Sequence, residues 1–186
     1  QLVGVVKSGG RPRLAELAYA LARAAEATEV GGPSLAIVAT SLEDLVEKLN
    51  ATLALLLDGD ERRHDSRGIH FAERPLAVDG RIAFLFPGQG SQYVNMTRDL
   101  AVAFDEVREC FEEADRTLSA ELERPLSGWV FPPPVFNSED EKQLQIALTE
   151  THVAQPALAA TDLAVLRLLR RFGIEPDMTA GHSFGE

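Results

Sequence analysis

The sequence predicts an α/β protein in which a small α/β domain precedes the first part of a larger domain built on a parallel sheet. Three observations lead to this fold class. Apolar residues recur at helical spacing in several segments, short apolar strands alternate with those helices, and the strand RIAFLF (81–86) is apolar at nearly every position. Alternating strands and helices are typical of parallel sheets, whose strands are covered on both faces.

The first domain is predicted to span residues 1–75 and to begin with a helix. Leucines and alanines from Leu14 to Leu21 follow the i, i+3, i+4, i+7 spacing of one helix face, and GGP (31–33) ends that pattern. SLAIVAT (34–40) is then predicted to be a short buried strand.

A second helix and a second strand complete this domain. Ser41 is placed to cap the helix through its side-chain oxygen, with Asp44 three residues later, close to a capping box. The helix is expected to end near Gly59. The charged stretch 58–68 is predicted to be a connection, and GIHFAE (68–73) is predicted to be the returning strand.

The second domain, residues 81–186, opens with the RIAFLF strand. A single helix is predicted over the apolar positions from Leu100 to Leu118, because they repeat about every 3.5 residues. PPP (132–134) marks a stiff surface loop. The stretch 137–152 is polar at its start and is predicted to become helical.

One more helix and strand lead to the end of this domain. Pro156 is predicted to lie in the first turn of that helix, and Gly173 to cap its end. The strand DMTAGH (177–182) then leads into Ser183. The alternation of strands and helices predicts a parallel sheet covered on both faces.

Composition and charge exclude several classes of function. Of the 186 residues, 29 are acidic and 18 basic, which gives a net charge of −11 and argues against nucleic-acid binding. No apolar run reaches the ~18 residues of a membrane span and no secretory signal is visible, so a cytoplasmic location is predicted. Cys110 is predicted to be a packed core residue. No cysteine or second close histidine stands at metal-ligand spacing from His64 or His70 in the sequence, so no metal site is predicted.

GHSFG (181–185) follows a predicted strand and matches the G-x-S-x-G pattern of nucleophile elbows. In such a turn the serine hydroxyl points out of the sheet, and the two glycines let the strand and helix backbones pass closely. The backbone N–H of Phe184 can then help to hold an oxyanion. A plain loop serine between glycines is the alternative for this motif alone.

PGQGSQ (87–92) also follows a strand and precedes a helix. Gly88 and Gly90 match the first two places of a dinucleotide-binding turn, but Tyr93 occupies the third, where it would obstruct helix packing. No G-K-[ST] follows, so a phosphate loop is excluded as well. A tight turn with free N–H groups remains, with Gln89 the best-placed second oxyanion donor. A purely structural turn is the alternative.

These motifs together resemble a known family. PGQGSQ, AQPAL (154–158) and GHSFGE (181–186), in this order and spacing, are similar to the acyltransferase domains of fatty-acid and polyketide synthases, the malonyl-CoA:acyl-carrier-protein transacylase family. The resemblance covers about residues 81–186 and implies an α/β-hydrolase-like parallel-sheet core. Residues 1–75 resemble, less specifically, the α/β linker that joins a ketosynthase to its acyltransferase in type I synthases.

The resemblance also implies a role for each matching residue. Ser183 would take the acyl group from a coenzyme A thioester and pass it to the phosphopantetheine thiol of an acyl carrier protein, by ping-pong covalent catalysis without a bound cofactor. The backbone N–H groups of Gln89 and Phe184 would form the oxyanion hole. Four further residues would line the site: Gln155, His182, Gly88 and Gly90.

Two parts of the family's machinery are expected beyond Glu186: the histidine base and the arginine that pairs with the malonyl carboxylate. His152 is a poor substitute for that base. We therefore expect this chain to be a linker plus the first third or so of an acyltransferase, truncated at the nucleophile elbow and inactive alone. The expected partners are an acyl carrier protein and the neighbouring ketosynthase domain of the same polypeptide.

Other functions remain open at this point. The chain could be a scaffold that spaces two domains, or an α/β-hydrolase esterase, although an esterase leaves PGQGSQ and AQPAL unexplained. Phe184, where methylmalonyl-selective relatives commonly have glutamine, favours a malonyl group. The arginines of the last helix could form a basic face for an acidic carrier protein or an ordinary solvated face: Arg167, Arg170 and Arg171.

Overall fold

The computed structural model describes residues 4, 10–26, 31–56, 62–75 and 79–186. The chain divides into two compact units, residues 1–80 and 81–186. Among the described residues, no helix is long and apolar enough to cross a membrane.

The described residues of the first unit form helices and a three-stranded antiparallel sheet. Of its strands Ser34–Ile37, Arg62–Asp65 and Ile69–Ala72, the last in sequence lies in the middle and pairs with both others. The elements are α1 (Leu14–Glu26), β1 (Ser34–Ile37), α2 (Leu42–Leu56), β2 (Arg62–Asp65) and β3 (Ile69–Ala72).

The sequence prediction for this unit was wrong in two places. The charged connection 58–68 contains strand β2, because the backbone of β2 pairs with β3 across a turn closed by Gly68, whose φ is +90°. Strand β1 was predicted to be buried, but the side chains at 34–36 are exposed, and the central strand β3 contributes the fully buried Ile69 instead. Gly59, the expected helix end, lies outside the described residues.

The predicted cap of α2 is confirmed. The backbone N–H of Asp44 donates to Ser41 Oγ over 3.0 Å, and the Asp44 carboxylate accepts from the backbone N–H of Thr40 over 2.8 Å. Lys48 Nζ lies 2.9 Å from the same carboxylate. The bond from the Thr40 backbone and then that from Lys48 lower the pKa of Asp44, because they stabilise its ionised form. The bond from Thr40 has the largest effect.

In the second unit, five helices lie between two strands in the order of the chain, and the two strands pair with each other. The strands Ala83–Phe86 and Met178–Gly181 pair in parallel, with Ala83 opposite Met178 and Phe86 opposite Gly181, which confirms the predicted parallel pairing for these two strands. The elements are β4 (Ala83–Phe86), α3 (Arg98–Ala103), α4 (Asp105–Thr117), α5 (Leu126–Val130), α6 (Ser138–Thr149), α7 (Thr151–Arg171), β5 (Met178–Gly181) and a 3₁₀ turn (Ser183–Gly185).

The core of the second unit lies between α4 and α7. Val107 and Phe111 of α4 pack with Val153 and Ala157 of α7, and all four are almost fully buried. Cys110 belongs to the same cluster, as predicted, and burial raises the pKa of its thiol. The long helix α7 is therefore a fixed element of this unit.

Three predictions for this unit need correction. The single helix over 100–118 is two helices, because Phe104 takes an extended backbone (φ −131°) and its ring packs edge-on against Phe172. Pro156 lies inside α7 instead of in its first turn, since the helix already begins at Thr151. Strand β4 was predicted to be covered on both faces, but its side chains alternate, with Leu85 77% exposed, and β5 is exposed throughout.

The predicted end of α7 is confirmed. Gly173 has a φ of +73°, its N–H donates to the Arg170 carbonyl, and the N–H of Ile174 donates to the Leu169 carbonyl. This is the Schellman arrangement, which places glycine in the left-handed region. It turns the chain from α7 toward β5 and Ser183.

Candidate active site

The parallel pairing of β4 and β5 brings the two predicted turns together. Because parallel strands end at the same edge of a sheet, PGQG (87–90) and HSFG (182–185) leave it side by side. The backbone N–H of His182 donates to the Phe86 carbonyl over 3.1 Å and extends the pairing by one residue. Two motifs that are almost a hundred residues apart in sequence therefore form one site.

Gly88 is the point of closest approach between the turns. A Cβ atom at this position would lie 2.5 Å from the His182 carbonyl oxygen, 2.8 Å from His182 Nδ1 and 3.1 Å from Ser183 Cβ. Gly88 is also buried. Only glycine fits here, so the contact between the two turns depends on this residue.

Gly181 and Gly185 of the GHSFG turn lie where backbone segments pass closely. A Cβ at Gly185 would lie 2.2 Å from the Phe86 carbonyl oxygen, and one at Gly181 would lie 2.1 Å from the Gly185 carbonyl oxygen. The turn after β5 therefore folds directly onto the ends of both strands. Side chains at these positions would force the turn away from the sheet.

The backbone of Ser183 lies in the left-handed region. Its φ is +57°, a left-handed conformation that is uncommon for a residue other than glycine and that marks a constrained turn. Two backbone bonds hold the turn, from Gly185 N–H to the His182 carbonyl and from Glu186 N–H to the Ser183 carbonyl. Ser183 is exposed, and no described side chain hydrogen-bonds its hydroxyl.

Two backbone donors next to the serine are free. Within the described residues, neither the N–H of Gln89 nor that of Phe184 donates to a protein group. The first belongs to the turn that Gly88 packs against Ser183, and the second follows Ser183 directly. Free N–H groups in such turns can bind a developing negative charge.

Gln89 and Gln155, from separate motifs, lie in contact. Gln155 Nε2 donates to Gln89 Oε1 over 3.5 Å, and Gln89 Nε2 donates to Thr151 Oγ1 over 3.1 Å. The start of α7 therefore contacts the PGQG turn through two polar side chains. Sequence reasoning placed Gln155 at the site but missed Thr151, which lies four residues before it.

Two further glutamines shape the PGQG turn and were also missed. The buried Gln92 accepts a hydrogen bond from Gly90 N–H over 2.7 Å. Gln145 of α6 donates to the Gln92 carbonyl and accepts from Val94 N–H, each over 3.1 Å. Gln92 is the last residue of the PGQGSQ motif and could have been singled out from the sequence, whereas no motif marked Gln145.

The histidines and arginines of this unit lie as follows. His182 Nδ1 lies 2.8 Å from the position that a Cβ of residue 88 would take, and His152 is exposed at the start of α7. Each arginine of the possible basic face forms an ion pair with a glutamate, and this removes much of the charge that an acidic partner would meet. The pairs are Arg167–Glu113, Arg170–Glu175 and Arg171–Glu106. No group of described residues could hold a metal ion.

Comparison with known proteins identifies the class. Residues 83–186, which are 104 of the 186, match the family described as acyl transferase domain, and the chain belongs to this family. It is 42% identical over 106 residues to the malonyl CoA-acyl carrier protein transacylase of Bacillus subtilis (strain 168), a match that covers 57% of this chain and 29% of that protein.

Two further relatives match the chain over nearly its whole length. The spectinabilin polyketide synthase system protein NorA of Streptomyces orinoci is 32% identical over 186 residues, which are 100% of this chain and 9% of that protein. The solved acyl transferase domain of ZmaA has a TM-score of 0.74 and 26% identity, covering 99% of this chain and 38% of that one. The mixed α/β fold with its small parallel sheet is thus that of acyl transferase domains.

Proposed function

We propose that this chain is the linker and the N-terminal portion of an acyltransferase domain of a polyketide or fatty-acid synthase. Ser183 carries an acyl group from a coenzyme A thioester to the phosphopantetheine thiol of an acyl carrier protein. The observation that carries this proposal is the close packing of the PGQG turn on Ser183 through Gly88. The proposal is supported by two N–H groups that donate to no described group, that of Gln89 in this turn and that of Phe184 directly after Ser183, whose φ is +57°.

The chemistry follows from these positions. Ser183 Oγ attacks the thioester carbonyl and loses its proton to a base, while the N–H groups of Gln89 and Phe184 stabilise the oxyanion. The C–S bond then breaks, coenzyme A leaves as the thiol after taking up the proton, and a serine ester remains. The carrier's thiol then attacks the serine ester and gives up its proton, the bond to Ser183 Oγ breaks, and Ser183 takes up that proton. The acyl group remains on the carrier as a thioester.

The base and the acyl group are assigned from the family resemblance. The chain spans 29% of the Bacillus transacylase, and we assign the base to a histidine in another part of the longer protein. Malonyl is the proposed acyl group, supported by Phe184 next to the nucleophile and by the name of that relative. His182, whose Nδ1 lies 2.8 Å from the position that a Cβ of residue 88 would take, supports the packing of the turn and is not assigned as the base.

The first unit is proposed to be the linker between a ketosynthase and this acyltransferase, with residues 1–75 as its extent. The match to NorA over all 186 residues and the match to the ZmaA domain over 99% of the chain support this, because both include the first unit. The α/β-hydrolase-like character of the second unit is supported by the parallel strands and by the left-handed serine after β5. The neighbouring ketosynthase is the proposed covalent partner.

The test uses the longest natural polypeptide that carries these residues, purified and incubated with malonyl-CoA and a carrier protein bearing phosphopantetheine. Transfer to the carrier is measured by intact-protein mass spectrometry. Ser183→Ala is expected to reduce transfer to background, because the nucleophile is gone. Ser119→Ala is the matched control, since the exposed Ser119 bonds only the nearby Arg116 carbonyl.

Two results would contradict the proposal. The first is transfer by Ser183→Ala at the rate of the unmodified protein. The second is release of free malonate, with none on the carrier, which would favour an esterase because water would then be the acceptor.

A further inference from the structure

We propose that Thr151 is a positioning residue for acyl transfer, because its hydroxyl orients the Gln89 side chain and thereby the Gln89 backbone N–H. This inference rests on the proposed function of that N–H as an oxyanion donor. Thr151 does not touch the reacting atoms in this assignment and acts only through Gln89.

Both the nitrogen and the oxygen of the Gln89 side-chain amide form hydrogen bonds with residues of α7. Its Nε2 donates to Thr151 Oγ1 over 3.1 Å, and its Oε1 accepts from Gln155 Nε2 over 3.5 Å. Thr151 and Gln155 are four residues apart in α7 and therefore lie on the same helix face. The shorter bond is that to Thr151, and its geometry makes it the stronger of the two.

The two partners of Gln89 lie on a rigid element. Val153, Ala154 and Ala157, which alternate with them along α7, are fully buried in the core of the second unit. Gln89 itself is exposed and belongs to a turn. The contact therefore joins an exposed loop residue to a helix whose position the core determines.

The backbone around Gln89 needs such a restraint. Glycines flank it on both sides, and glycine allows more backbone conformations than any other residue. Other bonds also hold the turn: Gly90 N–H donates to Gln92, and Ser91 N–H donates over 3.3 Å to the Gly88 carbonyl, which shares a peptide unit with the Gln89 N–H. The Gln89 N–H itself donates to no described group, and the side-chain bonds from Gln89 to α7 add a second restraint to the long bond at the Gly88 carbonyl.

The experiment compares Thr151→Val, which removes the hydroxyl at nearly constant shape, with Thr151→Ser, which keeps it. Single-turnover formation of the Ser183 ester from malonyl-CoA is followed in the longest natural polypeptide. We expect Thr151→Val to lower the maximal acylation rate about tenfold, the size of one hydrogen bond, with half-saturation unchanged. Thr151→Ser should stay within about twofold of the unmodified protein.

Two additions separate positioning from a merely structural effect. Thr117→Val is the matched control, because Thr117 is exposed and its hydroxyl bonds only its own helix at the Glu113 carbonyl. Gln89→Met removes the same side-chain bonds but keeps the backbone N–H. If Thr151 acts through Gln89, the double variant should be no slower than Gln89→Met alone.

Several results would overturn the proposed positioning role of Thr151. A normal acylation rate in Thr151→Val, or losses that multiply in the double variant, would overturn it. If Thr151→Val proves unstable, Gln89→Met decides alone, and a normal rate there overturns it too. Absence of any Ser183 ester in the unmodified protein would instead overturn the proposed function, and this inference with it.

Discussion

The substitution Gly88→Ala tests how the two turns form one site. A new Cβ would lie 2.5 Å from the His182 carbonyl oxygen, whereas real Cβ atoms essentially never come closer than 3.0 Å to such atoms. The turns must therefore separate by at least about 0.5 Å, and overpacking of this kind costs about 1–3 kcal/mol. A displacement near 1 Å between catalytic groups can cost about 10²-fold in rate. We expect a loss of about 10- to 100-fold in Ser183 acylation.

Two other glycines provide matched controls in the same acylation assay, with thermal unfolding measured in parallel. A Cβ at Gly128 would meet only Arg124 Cδ, at 3.9 Å, so Gly128→Ala in helix α5 should keep full activity and gain up to ~1 kcal/mol from helix propensity. A Cβ at Gly90 meets nothing within 4 Å, but its φ of +110° strains any other residue. Gly90→Ala therefore measures conformational strain without the steric contact. Wild-type acylation by Gly88→Ala would refute the close packing on which the site is built.

Two further predictions concern stability and activity. Burial raises the pKa of Asp162 above its ordinary value of 3.8, so the charged carboxylate destabilises the folded state at neutral pH. Asp162→Asn should therefore raise the unfolding temperature at pH 7, and this gain should vanish below about pH 3.8. A gain that is independent of pH would contradict the assignment. The isolated 186-residue chain should show no sustained malonyl transfer. No described side chain hydrogen-bonds the Ser183 hydroxyl, and a serine without a base is a weak nucleophile. Repeated turnover in a carrier-loading assay would contradict this prediction.

Local chemistry made much of the fold predictable. The Ser41 cap and the Gly173 helix end each depend on a few neighbouring residues, and both are confirmed. Strand β2 was missed because its side chains are charged, and only pairing with β3 makes it a strand. The break at Phe104 was missed for a similar reason: Phe104 packs against Phe172, a contact between residues distant in sequence.

The candidate site was predictable where it consists of motifs. Gly88, Gln89 and Ser183 were each singled out from short patterns, and the structure brings Gly88 into contact with the serine. Their roles in catalysis remain predictions. Thr151 and Gln145 could not be found, because their contribution is a hydrogen bond from a helix to a loop far away in sequence.

The most direct test of this account is the position of the acyl group. The longest natural polypeptide is incubated briefly with malonyl-CoA, digested at low pH, and mapped by peptide mass spectrometry. We predict a malonyl ester on the peptide that contains Ser183, and we predict its loss when a carrier protein with its phosphopantetheine thiol is added. A malonyl group on any other residue, or none on Ser183 while the carrier is still loaded, would contradict it.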